Sequence, residues 1–142
     1  MKKSRTIDSI EAEESDYLYV GTSQIPNSGN GLFTAIHIYP DEIIAVFHGK
    51  LLSQTEAMQR EQAGFDKYFI SLEDGRIFDS MNATGFAHFA NDASYNSRKK
   101  NNACIELDAN NKIALVAIST IRSGSEICCG YGHKYWMKHS NQ

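Results

Sequence analysis

The sequence predicts a mostly β domain of the α+β class, on three observations. About eight short runs rich in β-branched and aromatic residues recur with turn signals roughly every 8 to 12 residues. Only one segment carries a full set of helix signals, and strands and helices do not alternate as βαβ units would require. At 142 residues the chain suits one domain with its own core.

The elements follow in order. Residues 1–16 hold Lys2, Lys3 and Arg5, then Asp8, Glu11, Glu13, Glu14 and Asp16, with two isolated isoleucines to bury; they read as a flexible tail ahead of a domain at 17–142. "YLYVG" (17–21) reads as a strand and "QIPNSGNG" as a turn broken by Pro26, Gly29 and Gly31. "LFTAIHIY" and "IIAVFHGKLL" read as two further strands, joined by a "PDE" turn in which Pro40 fixes its own φ.

In "SQTEAMQREQAG", Ser53 and Glu56 form a capping box and Gly64 supplies the stop, so a helix is expected. Asp74-Gly75 sits between two strand-like runs and predicts a hairpin over "KYFISLEDGRIFDS". "NATGFAHFAN" suits a short helix or turn, "SYNSRKKNN" a polar loop without packing capacity, and "ACIELDANNKIALVAI" a second hairpin around Asn110-Asn111. A turn at Ser123-Gly124, a brief strand and an aromatic-rich terminus that docks complete the chain.

Composition narrows the function. No apolar run approaches the roughly 20 residues that span a bilayer, and "MKKSRTIDSI" lacks the apolar core of a secretory signal, so no membrane partner is expected. Three cysteines, two of them adjacent, give neither a disulfide framework nor a C-x-x-C spacing. The expectation is a reducing, intracellular compartment (cytoplasm or nucleus), or delivery into a host cell if the source is a microbe. The net charge of -3 argues against tight contact with a phosphate backbone and fits a cationic peptide better. "SRKK" (97–100) accordingly reads as a solvated loop rather than a nucleic-acid contact.

Candidate chemistry lies in four places. "SGNGLF" lets backbone groups approach a ligand closely, although taken alone it also suits a plain turn. A dinucleotide fingerprint fails, because Thr34 stands where the third glycine belongs and a strand follows. Cys128 and Cys129 point to opposite faces of a strand and read as buried structural thiols; the five histidines lack metal-ligand spacing, so no metal is assigned. "GFAHFANDASYN" runs from apolar residues into two carboxamides, a carboxylate and a hydroxyl. Tyr131, held between Gly130 and Gly132 with Tyr135 and Trp136 behind it, offers a phenol on a constrained turn or simply an aromatic closing the core.

Taken in order along one chain, these motifs resemble the SET-domain family of protein lysine methyltransferases in its minimal, stand-alone form, over about Tyr17 to Trp136. "SGNGLF" resembles the family's first motif, "AVFHGKLLS" its E-Y-x-G-E strand with Val46 and Phe47 in place of Glu and Tyr, and "KYFISL" its Y-x-F-x-L strand. "RIFDS" is similar to the strand ending I-D-A, "HFANDAS" to R-F-I-N-H-S-C, and "GSEICCGYG" to G-E-E-L-x-F/Y-D-Y-G.

The resemblance implies a β-clip fold of several short sheets with a C-terminal pseudoknot that brings Asn91 and Tyr131 together. It implies S-adenosyl-L-methionine as cofactor, held by Gly29, Asn30, Gly31, Tyr68, Asn91, Asp92 and Trp136, with Tyr131 and Tyr68 as catalytic residues. The implied reaction is methyl transfer to a lysine side-chain amine of a protein or peptide, a histone tail among the candidates, by a chain that could pair as a homodimer. His88, Asp92, Ser94 and Cys129 stand where the family has Arg, His, Cys and Phe or Tyr. Those departures motivate the alternative of a catalytically weak or inactive SET-like module that binds peptides.

Overall fold

The computed structural model describes residues 8–66, 69–71, 75–80, 85–94, 98–107 and 112–130. In chain order these form β1 (Asp8–Ser9), α1 (Glu14–Tyr17), β2 (Leu18–Thr22), β3 (Asn30–Thr34), β4 (Glu42–Val46), β5 (Lys50–Leu52), α2 (Gln54–Gln62), β6 (Phe69–Ser71), β7 (Ile77–Asp79), a 3-10 turn (Ala87–Phe89), β8 (Ala103–Leu107), β9 (Ile113–Ala117) and β10 (Glu126–Ile127). Short strands in three small sheets, with few helices, are the architecture expected from the sequence. The chain divides into two units, residues 1–47 with 85–130, and residues 48–84 with 131–142.

The first unit holds a four-stranded sheet, β1-β4-β9-β8, and a three-stranded sheet, β10-β3-β2. β9, "IALVA", is an unbroken apolar run and is buried at every position, as a strand with neighbours on both sides should be. Leu32, Ile38, Ile44, Leu115, Val116, Ile121 and Ile127 fill the core. β8 and β9 pair antiparallel from Ala103↔Ala117 to Leu107↔Ile113, the expected hairpin; Asn110 and Asn111 lie outside the described residues. β3 stops at Thr34 because the Thr34 hydroxyl accepts from the Ile36 N–H at 3.1 Å and donates to the Ile36 carbonyl at 2.8 Å. That local bond competes with the ladder, and only Ile38 bridges again, to Ile121.

Residues 8–16, read from the sequence as part of a flexible tail, carry secondary structure. β1 pairs parallel with β4, Asp8↔Glu42 and Ser9↔Ile43, and the Glu14 carboxylate accepts from the Val46 N–H at 3.0 Å. The segment thus covers the outer edge of β4 with main-chain and side-chain hydrogen bonds rather than buried apolar area, which counting hydrophobic residues could not detect. Tyr17, the last residue of α1, is buried and donates its phenol O–H to the Ile44 carbonyl at 2.7 Å.

In the second unit, β5-β7-β6 form an antiparallel sheet. "IIAVFHGKLL", read as one strand, is two: β4 belongs to the first unit and β5 to this one. Gly49 lies in the break and passes so close to the Asp79 carbonyl that any Cβ would collide with it. α2 begins as expected, with Ser53 Oγ accepting from the Glu56 N–H at 3.1 Å and the Glu56 carboxylate accepting from the Ser53 N–H at 3.0 Å. Leu52, Ala57 and Phe69 pack together with Ile77, and Arg60 at the end of α2 forms an ion pair with the buried Asp79 carboxylate. β6 and β7 pair as predicted, Ser71↔Ile77, with Asp74 outside the described residues.

Candidate cofactor site

Four segments of the first unit meet: the glycine turn at 23–31, the "NDAS" stretch at 91–94, the end of the polar loop at 101–103, and residues 126–129. Their meeting depends on polar side chains acting as backbone. Asn91 bridges Cys128, and Ala103 bridges Cys129, both in parallel sense, so residues 128–129 run between the other two segments. The Cys129 N–H donates to the Asn91 carbonyl at 2.9 Å, and Asn91 Nδ2 donates to the Asn30 carbonyl at 2.9 Å. Asn91 therefore joins the glycine turn to the strand end, while among the described residues nothing donates to its Oδ1.

The two glycines of "SGNGLF" are needed for different reasons. Gly29 has φ +64 and open space where a Cβ would stand, so its conformation demands glycine and leaves room beside the turn. Gly31 is buried in β3, where a Cβ would collide with the Glu126 carboxylate and lie 3.2 Å from Ser23 Cα. Glu126 itself is only 1% exposed. Its carboxylate accepts from Ser23 Oγ at 2.6 Å and from the Gln24 N–H at 2.8 Å, tying the start of the glycine turn to β10. Ile25, Ala93 and Cys128 make a small apolar cluster at the same junction.

Asp92 turns one oxygen into its own loop. Oδ1 accepts from the Ser94 N–H at 2.8 Å, from the Ser94 hydroxyl, and from Asn101 Nδ2 at 3.2 Å. Asn101 Oδ1 in turn accepts from the Ala93 N–H at 2.8 Å. Beyond it, Asn102 Nδ2 donates to the Glu126 carbonyl at 3.0 Å, Asn102 Oδ1 accepts from the Cys128 N–H at 2.9 Å, and the Asn102 N–H donates to the Cys128 carbonyl at 2.9 Å. The polar loop that the sequence presents as lacking packing capacity therefore ends in the two amides that lock the junction.

Both adjacent thiols are buried with 0% exposure, in line with a structural role. Burial pushes the Cys128 thiol up to about 11, with Glu126 adding to the shift, and holds Cys129 higher still. Neither is a nucleophile at neutral pH. Of the predicted site residues, Gly29, Asn30, Gly31, Asn91 and Asp92 fall in this junction, whereas Tyr68, Tyr131 and Trp136 lie outside the described residues. Sequence reasoning missed Glu126, Asn101, Asn102 and Ser23. An acid inside the apolar run "EICC" was the available signal for Glu126; adjacent carboxamides leading into "ACIEL" were the signal for the pair.

A sequence profile of the SET domain matches residues 29–132, which takes in Gly29–Gly31 at the end of the glycine turn, the Asn91 junction and the 126–130 segment. The chain belongs to the SET-domain family. Solved structures agree. The SET chain superposes with TM-score 0.67 and 26% identity on a humanized mutant of Polycomb Repressive Complex 2 from Chaetomium thermophilum bound to an inhibitor, covering 81% of this chain and 15% of that one. It superposes on the same fungal complex bound to a second inhibitor with TM-score 0.68 and 25% identity, covering 87% and 17%. A further structure of that complex, autoinhibited and bound to S-adenosylmethionine, shares the fold at TM-score 0.66 and 23% identity over 88% of this chain and 17% of that one. The SET chain thus spans about a sixth of these structural relatives' length. No curated protein sequence matches it.

The junction suits the cofactor of its family. An asparagine with an open acceptor offers both hydrogen-bond polarities to an adenine edge or an amino-acid group, and the left-handed Gly29 leaves unfilled space beside the exposed Asn30.

Proposed function

We propose that this SET domain transfers a methyl group from S-adenosyl-L-methionine to the side-chain amine of a lysine in a protein or peptide. The observation that carries the reading is Asn91, whose main chain holds the strand end at Cys129 while its side chain holds the glycine turn at Asn30. In this reading Gly29, Asn30, Gly31 and Asn91 hold the cofactor, together with main-chain groups of Asp92 and the side chains of Tyr68 and Trp136. Bound there, S-adenosyl-L-methionine supplies an electrophilic sulfonium methyl.

The chain's own task is to present a neutral amine in line. A free lysine with a pKa near about 10.4 is almost wholly protonated, so the site must lower that value. Aromatic side chains beside the amine, a role the family resemblance assigns to Tyr68 and Tyr131, would desolvate the ammonium, and a neighbouring positive charge would repel it; both effects favour the neutral form. No general base is required of the channel itself. Positioning at roughly 3 to 3.5 Å supplies much of the remaining barrier reduction. In this reading the Tyr131 hydroxyl, with main-chain carbonyls, would be the polar group that stabilises partial positive charge at the transferring methyl.

A histone tail is one candidate substrate, since a cationic peptide suits a chain of net charge -3. Cys129 stands where the family has Phe or Tyr, and a smaller side chain there is expected to permit products beyond monomethyllysine. Pairing as a homodimer is part of the same reading, and sedimentation tests it. The deciding experiment is methylation of a lysine peptide array with labelled cofactor, using wild type and Tyr131→Phe. The reading predicts label on lysine and at least a tenfold slower Tyr131→Phe, a bound set below the roughly hundredfold that removing one preorganised polar group costs. An unchanged rate removes the assigned role of Tyr131.

A non-catalytic peptide-binding module is the second reading, favoured by Asp92, whose Oδ1 is committed to Ser94 and Asn101. Failure to bind either S-adenosylmethionine or S-adenosylhomocysteine in calorimetry would select it.

A further inference from the structure

β10 ends at Ile127, yet residues 128–129 are the ones that hold Asn91. Something must continue the ladder for them. Consecutive side chains of an extended segment point to opposite sides. The adjacent Asn101 and Asn102 use that alternation, one amide bonding to residues 92–94 and the other to residues 126–128. The amide of Asn102 presents a donor to the Glu126 carbonyl and an acceptor to the Cys128 N–H, the pair of bonds a neighbouring strand residue would make.

From there a run of hydrogen bonds reaches the candidate cofactor residues. Asn102 fixes Cys128, the next N–H at Cys129 donates to the Asn91 carbonyl, and Asn91 Nδ2 donates to the Asn30 carbonyl. Cys128 and Cys129 are 0% exposed, so main-chain groups freed there would meet little water and the segment would have to move.

We infer that Asn102 is a positioning residue for cofactor binding, acting through residues 126–129 on Asn91. This rests on the methyl-transfer reading above. A merely structural Asn102 would change how much protein is folded; a positioning Asn102 changes how tightly the folded protein binds.

The test compares the full chain with Asn102→Ala and the isosteric Asn102→Asp, which keeps an acceptor for the Cys128 N–H but sets a carboxylate oxygen against the Glu126 carbonyl. Tyr17→Phe, which removes a buried hydrogen bond elsewhere in the unit, is the control. Calorimetric titration with S-adenosylhomocysteine separates affinity from the number of competent sites. Loss of the Asn102 bonds should raise Kd about tenfold in both variants at unchanged stoichiometry per folded molecule, with Kd unchanged in Tyr17→Phe. Hydrogen exchange followed by NMR should show the Cys129 amide and the Asn91 side-chain amide exchanging about tenfold faster in the Asn102 variants alone.

A Kd within twofold of wild type, or unchanged protection at Cys129 and Asn91, overturns the inference. Should Asn102→Ala fail to fold, Asn102→Asp carries both measurements. If the wild-type chain binds no S-adenosylhomocysteine, the methyl-transfer reading falls, and exchange at Cys129 and Asn91 alone decides whether Asn102 positions the junction.

Discussion

Gly31→Ala separates two reasons for a glycine. If Gly31 serves only to let a ligand approach the backbone, alanine should weaken cofactor binding at unchanged stability. The packing gives a different expectation. An added Cβ would collide with Glu126 Oε2 and lie 3.2 Å from the Ser23 main chain, so the carboxylate must leave. It would leave behind bonds from Ser23 Oγ at 2.6 Å and from the Gln24 N–H at 2.8 Å. A hydrogen bond to a charged group contributes about 1.5 to 3 kcal/mol, and partial rearrangement recovers some of the two, so the loss should be about 3 kcal/mol. For a chain of this size that lowers Tm by about 10 °C. Glu126→Ala alone should cost a similar amount, because Ser23 and Gln24 lose their acceptor. With no carboxylate left to displace, the double variant should be about 2 kcal/mol more stable than the sum of the single losses. Urea unfolding of the four proteins reads the cycle directly. Additive losses, or a fully stable Gly31→Ala, would refute the steric reasoning.

Four other outcomes follow from the same structure. Arg60→Ala removes a cationic partner of the buried Asp79 carboxylate and should cost about 1 to 3 kcal/mol in urea unfolding; an unchanged stability would make the pair dispensable. Lys50 and the Ser53 N–H hold the Glu56 carboxyl down to about 2, against 4.5 for the free group. Because the folded pKa is the lower one, its stabilisation of α2 is complete above pH 4.5 and fades as pH falls toward 2, which a Glu56 carboxyl titration by NMR would follow. Native protein treated with iodoacetamide at pH 8 should be alkylated at the half-buried Cys104 and spared at Cys128 and Cys129, and peptide mapping that finds the adjacent pair modified first would contradict their burial. Since the Cys128 pKa rises from 9.0 to about 11 on folding, its contribution to stability is complete below pH 9 and is lost as pH rises toward 11.

Much of the fold was legible because it is written in local chemistry. The α2 capping box, the positive-φ glycines at Gly64 and Gly75, and the two hairpins each depend on residues a few positions apart, and each formed where the pattern placed it. The junction was half legible. Asn91 and the glycine turn stood out as polar and flexible residues at the ends of apolar runs. Glu126 and Asn102 did not, because their roles exist only across 103 and 24 residues of intervening chain.

The acidic segment at 8–16 shows the same limit from the other side. By composition it has too little apolar surface to order itself, and it orders through the exposed edge of β4, which no reading of the segment alone contains. The sequence by itself determined the kind of domain and its turns and caps. Only the tertiary structure decided which polar groups stand in for absent strand neighbours, because an unpaired N–H or carbonyl becomes costly only once the surrounding chain has shut out water.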